Sequence, residues 1–352
     1  MPTFDRETKQ LVNGARTLGN KGISVYLEDA ELLRLCAVVA NDLGKGNLVS
    51  SVASPTELNN NYFGIPTDWF TKPIDDSIHF PTMFLSLQDQ IDDFATYFKC
   101  LCGLHKRRIK FGKILTIQAI PKIETVVPRC LLEYGMRPAE SLASWLVWRK
   151  WIYDIDNRSA QETGYLFEPI LTAAIGGVSY GHRGSPIKRF TDPTKGRQVD
   201  CLDGKTAYEF KTRVTIAASG QGRFKEELDF AKDCQQSGYV PVLLVLDPTP
   251  SSRLEDLSAE YTKYSGTAHV GSAAWSHIVE KAGGVMGRFV ENYVRVPLEQ
   301  VDKSADTLQP LSITDNGNTI TVRLGIQEFV IARARPELQI EVVDDETETE
   351  SE

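Results

Sequence analysis

The sequence predicts an α/β (α+β) protein: a central mixed β-sheet flanked by helices, a largely helical N-terminal region and a small C-terminal β region. Three observations predict it. Residues 197–247 run as two short alternating strands, an amphipathic helix and one continuous apolar strand. Beyond them, helical and strand patterns keep alternating to residue 294, as they do where helices pack on a sheet. Ahead of them, apolar residues recur mainly at helical spacing.

The N-terminal elements follow in order. Residues 1–48 read as helical, with Leu32, Leu33, Leu35, Cys36, Val38 and Val39 as a strong apolar core. Residues 50–82, rich in Asn, Pro, Ser and aromatics, read as loop. Residues 83–104 return to an amphipathic helix through Phe84, Leu87, Ile91, Phe94 and Phe98. Residues 111–127 hold possible strands, limited by Pro121 and Pro128. Pro138 suits the first turn of a helix carrying Leu142, Trp145, Leu146, Trp148 and Trp151. Those tryptophans could stack on bases, but their spacing covers one broad face, which favours core packing.

Ser159-Ala-Gln-Glu162 has the capping-box pattern, so a helix is expected to begin there, with Glu162 occupied at its N-terminus. Glu168 precedes Pro169, which cannot donate to the Tyr165 carbonyl and disfavours a helical residue before it. A helix break at that point would free Glu168 to face the site as a third acid.

The run from Arg197 to Arg213 carries the most chemistry. It reads as a hairpin turning at Asp203-Gly204, a strong short-range turn signal. Side chains alternate faces along a strand, so Glu209 and Lys211 point the same way, and the fold-back brings Asp200 near them. Two carboxylates and an amine on one spot are what a hard divalent cation and an activated water require. The bland alternative is a solvated cross-strand ion pair, worth under about 1 kcal/mol. Val199, Cys201, Tyr208 and Phe210 alternate with the charged residues, which argues for a hairpin packed on a core. A Gly-rich loop over 217–222, a helix over about 223–236 (Phe224, Leu228, Ala231) and a buried strand over 239–247 follow. Further on come a helix over 251–265, a strand over 267–271, a helix over 273–294, and strands around the hairpin signal Asp315-Asn-Gly-Asn318 within 311–333.

Composition bounds the partners. The chain has 352 residues, 41% of them hydrophobic, and a net charge of −8. Seven acids lie in residues 341–352, which hold no base and read as a disordered acidic tail, so the remainder is close to neutral. Residues 183–213 hold eight Lys and Arg against four acids, and residues 105–113 hold five against none. Binding to DNA follows local potential, so an acidic total does not exclude it. The six cysteines read as reduced core residues. Cys100-Leu-Cys102-Gly-Leu-His105 lacks a second ligand pair for zinc. No stretch is apolar for the ~18 residues a membrane helix needs, and residues 1–10 lack an apolar signal region. A soluble, cytoplasmic protein is expected.

The order of elements and the acids Asp200 and Glu209-Phe210-Lys211 resemble the PD-(D/E)xK nuclease core, with Val199 where the motif usually has proline. The longer string RQVDCLDGKTAYEFKTRVTIAASGQGRFKEEL, followed by the apolar strand ending LVLDP, resembles the ApaLI-like type II restriction endonucleases over roughly residues 160–295. The resemblance implies a restriction-endonuclease-like core over 158–300; the flanking patterns add a helical region over 1–157 for DNA recognition, dimerisation or core support, and a C-terminal hairpin region over 301–340. It implies Mg²⁺-dependent hydrolysis of double-stranded DNA. Asp200, Glu209 and the Phe210 carbonyl would hold the cation, Glu168 is the candidate third acid, and Lys211 would orient water or stabilise charge. Arg213, Ser219, Gln221, Arg223 and Lys225 are candidates for base reading or phosphate clamping. Lys106, Arg107 and Arg108 are candidates for phosphate contact. The resemblance further implies a short palindromic site of the GTGCAC type, a homodimer, and a cognate DNA methyltransferase as a genetic partner. Two alternatives stay open: a nuclease of this fold for junctions or repair intermediates, and a non-catalytic DNA-binding or interaction module.

Overall fold

The computed structural model describes residues 4–19, 23–58, 61–212, 220–304, 308–335 and 338–339, with 220–223 described by backbone alone. The chain divides into two compact units. One comprises Met1–Thr17, Tyr26–Leu104 and Gly164–Glu299; the other comprises Leu18–Val25, His105–Thr163 and Gln300–Glu352.

Helix α1 (Arg6–Arg16) starts at Asp5, whose carboxylate accepts from the Thr8 N–H at 2.7 Å. Helix α2 (Asp29–Asp42) buries all six of its expected core residues, because apolar side chains occupy more than one face. Residues 50–82 are not wholly loop: short helical turns occupy Pro55–Leu58, Tyr62–Gly64 and Thr67–Thr71. The helix expected over 83–104 is two helices, α3 (Phe80–Gln90) and α4 (Phe94–Ile117). Asp93, at φ 54°, separates them, and aspartate is one of the few residues that tolerates that left-handed conformation.

The strands expected over 111–127 are not formed. Helix α4 runs on to Ile117, and Ile123–Val126 is a further helical turn. Ile114, Thr116 and Ile117 read as β-formers, but no proline interrupts the helix before Pro121, and the existing turns carry on through them.

Helix α5 (Ala139–Ile175) is continuous, and it overturns two expectations. Ser159 and Glu162 lie mid-helix and form no cap. The Thr163 hydroxyl donates to the Ser159 carbonyl at 2.6 Å, within an unbroken turn. Pro169 also lies inside the helix, so Glu168 is helical and not released by a break. An interior proline costs about 3 kcal/mol. The following turn offsets this by burying Ile170, Leu171, Ala174 and Ile175, when each large apolar side chain contributes about 1.5–3 kcal/mol.

The sheet follows. Strand β1 (Val178–Tyr180) pairs antiparallel with β2 (Val199–Asp203), and β2 antiparallel with β3 (Thr206–Lys211). Helix α6 (Gly220–Gln236) leads to β4 (Val240–Val245), parallel to β3. Helix α7 (Ser252–Lys263) leads to β5 (Thr267–Val270), parallel to β4. The order β1-β2-β3-β4-β5 is the expected mixed sheet. Phe230, Ala231 and Cys234 of α6 and Leu254, Leu257 and Tyr261 of α7 close one core with Ala207, Leu243 and Val245. Helix α8 (Ser272–Val290) brings His277 to the Tyr208 hydroxyl, 3.2 Å away.

In the second unit, β6 (Leu311–Asp315), β7 (Thr319–Leu324) and β8 (Gln327–Ala332) form an antiparallel three-stranded meander, whose first two strands make the hairpin expected around Asp315-Asn-Gly-Asn318. Its first turn uses Gly317 at φ 80°, whose N–H the Asp315 carboxylate accepts at 2.9 Å. The acidic tail lies outside the described residues.

Candidate active site

The site is built on the β2–β3 hairpin. Asp203 pairs with Thr206, so the two-residue loop is Gly204-Lys205, one position later than the turn expected at Asp203-Gly204. Gly204 sits at φ 57°, which glycine adopts without strain, and such two-residue loops match the twist of the flanking strands. Cys201 lies opposite Tyr208. One step along the ladder brings Asp200 level with Glu209, and directly opposed residues share a face.

Asp200 is 9% exposed, and its Oδ2 accepts the Phe210 N–H at 2.7 Å. A strand residue's N–H and C=O point to the same edge, so the Phe210 carbonyl is directed the same way. Lys211 Nζ donates to Glu209 Oε1 at 2.8 Å, which realises the expected convergence of the two side chains.

Glu168 reaches the site by helical geometry. It lies one turn before Thr172, and residues four apart share a helix face. The Thr172 hydroxyl donates to the Asp200 carbonyl at 2.9 Å, which fixes that face of α5 against β2. The close approach depends on glycine: a Cβ at Gly177 would lie 2.4 Å from Cys201 Sγ and 2.7 Å from the Leu202 carbonyl oxygen.

The electrostatics follow from this crowding. Burial pushes the Asp200 carboxyl well above the usual carboxylate range, and the neighbouring Glu209 and Glu168 push it further; Lys211 and the Phe210 N–H oppose them only in part. Burial alone would lower the Lys211 ammonium, but Glu209, Glu227 and Asp200 more than offset it and hold the group charged. Clustered carboxylates short of countercharge suit a hard divalent cation, which prefers oxygen ligands. Among the described residues, no three His, Cys, Asp or Glu side chains already stand in ligand geometry.

Sequence reading missed two residues. Glu227 of α6 places Oε1 3.3 Å from Lys211 Nζ. Its position was legible: it is three residues after Phe224 and four before Ala231, an acid on the stripe that faces the core. Arg197 counted towards a basic region, yet it is buried at 9% exposure. It pairs with Asp233 at 3.5 Å and donates to the Glu226 carbonyl, clamping α6 to the strands.

The DNA-contact candidates are dispersed. Lys225 is exposed on α6. Arg213 and Ser219 lie outside the described residues, and Gln221 and Arg223 are placed by backbone in the first turn of α6. Lys106 is 4% exposed, so its side chain is not on an open phosphate-binding face. Arg107 is paired with Glu162 at 2.6 Å, alongside the buried Lys110 at 2.8 Å, and Arg108 is exposed. Beside them, burial lowers His105 to about 4, with Arg108 adding to the shift. All six cysteines are free. Of the helix tryptophans, Trp151 is buried, whereas Trp145 is 43% exposed, with the guanidinium groups of Arg137 and Arg149 over its ring. No helix among the described residues is long and apolar enough to cross a membrane.

Comparison with known proteins gives one consistent answer. The family model described as ApaLI-like restriction endonuclease matches residues 77–295, which include the hairpin, α5 and α6. The Type II restriction enzyme ApaLI of Acetobacter pasteurianus is 46% identical over 348 residues, covering 92% of each chain. No solved structure matches.

Proposed function

The chain belongs to the ApaLI-like restriction endonuclease family and is a type II site-specific deoxyribonuclease; from that premise we propose that it cuts both strands of a short palindrome of the GTGCAC type in a Mg²⁺-dependent reaction centred on Asp200, Glu209 and Lys211. The observation that carries the reading is the buried Asp200 carboxylate, crowded by Glu209 and Glu168 on a hairpin that also presents Lys211.

In this reading Asp200 and Glu209 hold the cation through carboxylate oxygens, with the Phe210 carbonyl beside them and Glu168 as the third acid. A bound divalent cation lowers the pKa of water and neutralises charge on the phosphoryl group. Phe210, by donating to Asp200 Oδ2, fixes that carboxylate's orientation. Thr172 holds the backbone of the same residue. Lys211, kept protonated by its acidic neighbours, presents positive charge to the scissile phosphate. Arg213, Ser219, Gln221, Arg223 and Lys225 are proposed to read bases or clamp phosphates beside the catalytic strand, and Arg108 to contact phosphate.

A palindrome has twofold symmetry, so two copies with one site each are proposed to act on the two strands. A cognate DNA methyltransferase protecting the same sequence, and action in the cytoplasm, complete the reading. The test is incubation of the purified protein with plasmid and phage DNA, with Mg²⁺ and with chelator. Discrete fragments with symmetric ends, formed only with Mg²⁺, are expected. Cleavage without a divalent cation, or ends sharing no sequence, would contradict the proposal.

A further inference from the structure

Glu227 is an acid outside the E-x-K strand that touches the catalytic lysine. Lys211 Nζ lies between two carboxylates, 2.8 Å from Glu209 Oε1 and 3.3 Å from Glu227 Oε1. The second oxygen, Glu227 Oε2, is buried and has no hydrogen-bond partner among the described residues. A buried carboxylate oxygen without a partner calls for an explanation, and service to a site is one.

The position of Glu227 is imposed by a separate clamp. The preceding residue, Glu226, has its carbonyl held by the buried Arg197 guanidinium. Two turns further on, Asp233 pairs with the same guanidinium and accepts the Phe190 N–H at 2.7 Å. Phe230 and Ala231 anchor the intervening turn in the core. Helix α6 therefore cannot swing Glu227 away without breaking a buried network.

We propose that Glu227 is a positioning residue for Lys211, holding the ammonium over the site when Glu209 turns its oxygens to the cation. The inference rests on the metal-dependent hydrolysis proposed above. A carboxylate engaged by a divalent cation is a poor acceptor for an ammonium. With Glu209 alone, Lys211 would either compete with the cation or lose its partner. A second carboxylate on a rigid helix keeps the ammonium in reach of the phosphate without drawing on the ligand set. In this scheme Glu227, on α6 and outside the hairpin that carries Asp200 and Glu209, serves the ammonium and not the cation.

The test separates turnover from cation binding in the full-length protein. Glu227→Gln keeps the shape and removes the charge. At saturating Mg²⁺ its single-turnover cleavage of plasmid DNA should fall by about 10- to 100-fold, the range typical for residues that orient a site group. The Mg²⁺ concentration that half-saturates thermal stabilisation should stay within about twofold of wild type, as expected for a group outside the ligand set. Glu227→Asp, which retains the charge, should recover part of the rate. An unchanged rate in Glu227→Gln would overturn the inference. So would a large rise in the half-saturating Mg²⁺ concentration with full rate restored at high Mg²⁺, since that marks a ligand. If Glu227→Gln fails to fold, Glu227→Asp decides: a folded Asp variant that has lost as much rate as Lys211→Ala would overturn the role of charge. A wild-type protein that cuts no DNA with Mg²⁺ would defeat the functional reading itself, an outcome distinct from normal cutting by both proteins.

Discussion

Glu162 and Asp200 are both buried carboxylates, at 5% and 9% exposure. Their surroundings are opposite. Glu162 is met by two cations, Arg107 at 2.6 Å and Lys110 at 2.8 Å. Asp200 is met by two further acids, Glu209 and Glu168, with Lys211 offsetting them only in part. The first arrangement neutralises a charge and ties a helix pair together. The second leaves negative charge in excess, a state the protein maintains at a cost and that a cation would relieve. Local charge balance, and not the count of basic residues along the chain, distinguishes a structural ion pair from a site built for chemistry.

The largest effects are expected at the proposed catalytic acids. Asp200→Ala or Glu209→Ala should reduce Mg²⁺-dependent cleavage by several orders of magnitude while the protein still folds, because each removes a proposed cation ligand. Near-normal cutting by either variant would return the cluster to the status of a structural ion pair. Glu162→Ala should do the reverse. It removes the acid that meets the buried Lys110 and the half-buried Arg107 and should destabilise the protein by about 3–5 kcal/mol, read by denaturant unfolding. A loss below about 1 kcal/mol would show that water reaches the pair.

A smaller effect is expected at the proposed DNA-contact residues. Substituting Gln221 or Arg223 should cost about 1–3 kcal/mol of discrimination between matched and one-base-mismatched duplexes, measured by competition binding. Arg108→Ala, in contrast, should weaken all duplexes alike and lower the salt slope by about one. Equal losses on both duplexes for the Gln221 and Arg223 variants would move base reading away from the start of α6.

What was legible in the sequence was local. Period-2 alternation and the Asp-Gly signal located the hairpin and its three charged residues, because strand geometry needs only neighbours. The turn moved by one residue, since the pairing of Asp203 with Thr206 gives the left-handed position to Gly204. What failed depended on tertiary burial. Ser159-Ala-Gln-Glu162 has capping chemistry, but the helix was already running from Ala139 and Glu162 is drawn to Arg107 and Lys110. Pro169 should have ended a helix that buried side chains carry through. The run 105–113 looks uniformly basic in one dimension, yet it buries His105, Lys106 and Lys110 and exposes Arg108. Glu227 was readable as an acid on an apolar stripe; its bond to Lys211 required the fold.

Two neutralising substitutions, Asp200→Asn and Glu162→Gln, should shift the melting temperature in chelator in opposite directions. The folded-state pKa of Asp200 is raised above its unfolded value, so the native state binds the proton more tightly. Its carboxylate therefore lowers stability progressively as pH rises from the unfolded value through the folded one. Asp200→Asn should melt a few degrees above wild type at neutral pH, the difference should vanish below about pH 3, where both states hold the proton, and added Mg²⁺ should stabilise wild type but not the variant. Glu162→Gln should melt below wild type at neutral pH. Shifts of the same sign for the two variants would contradict the account.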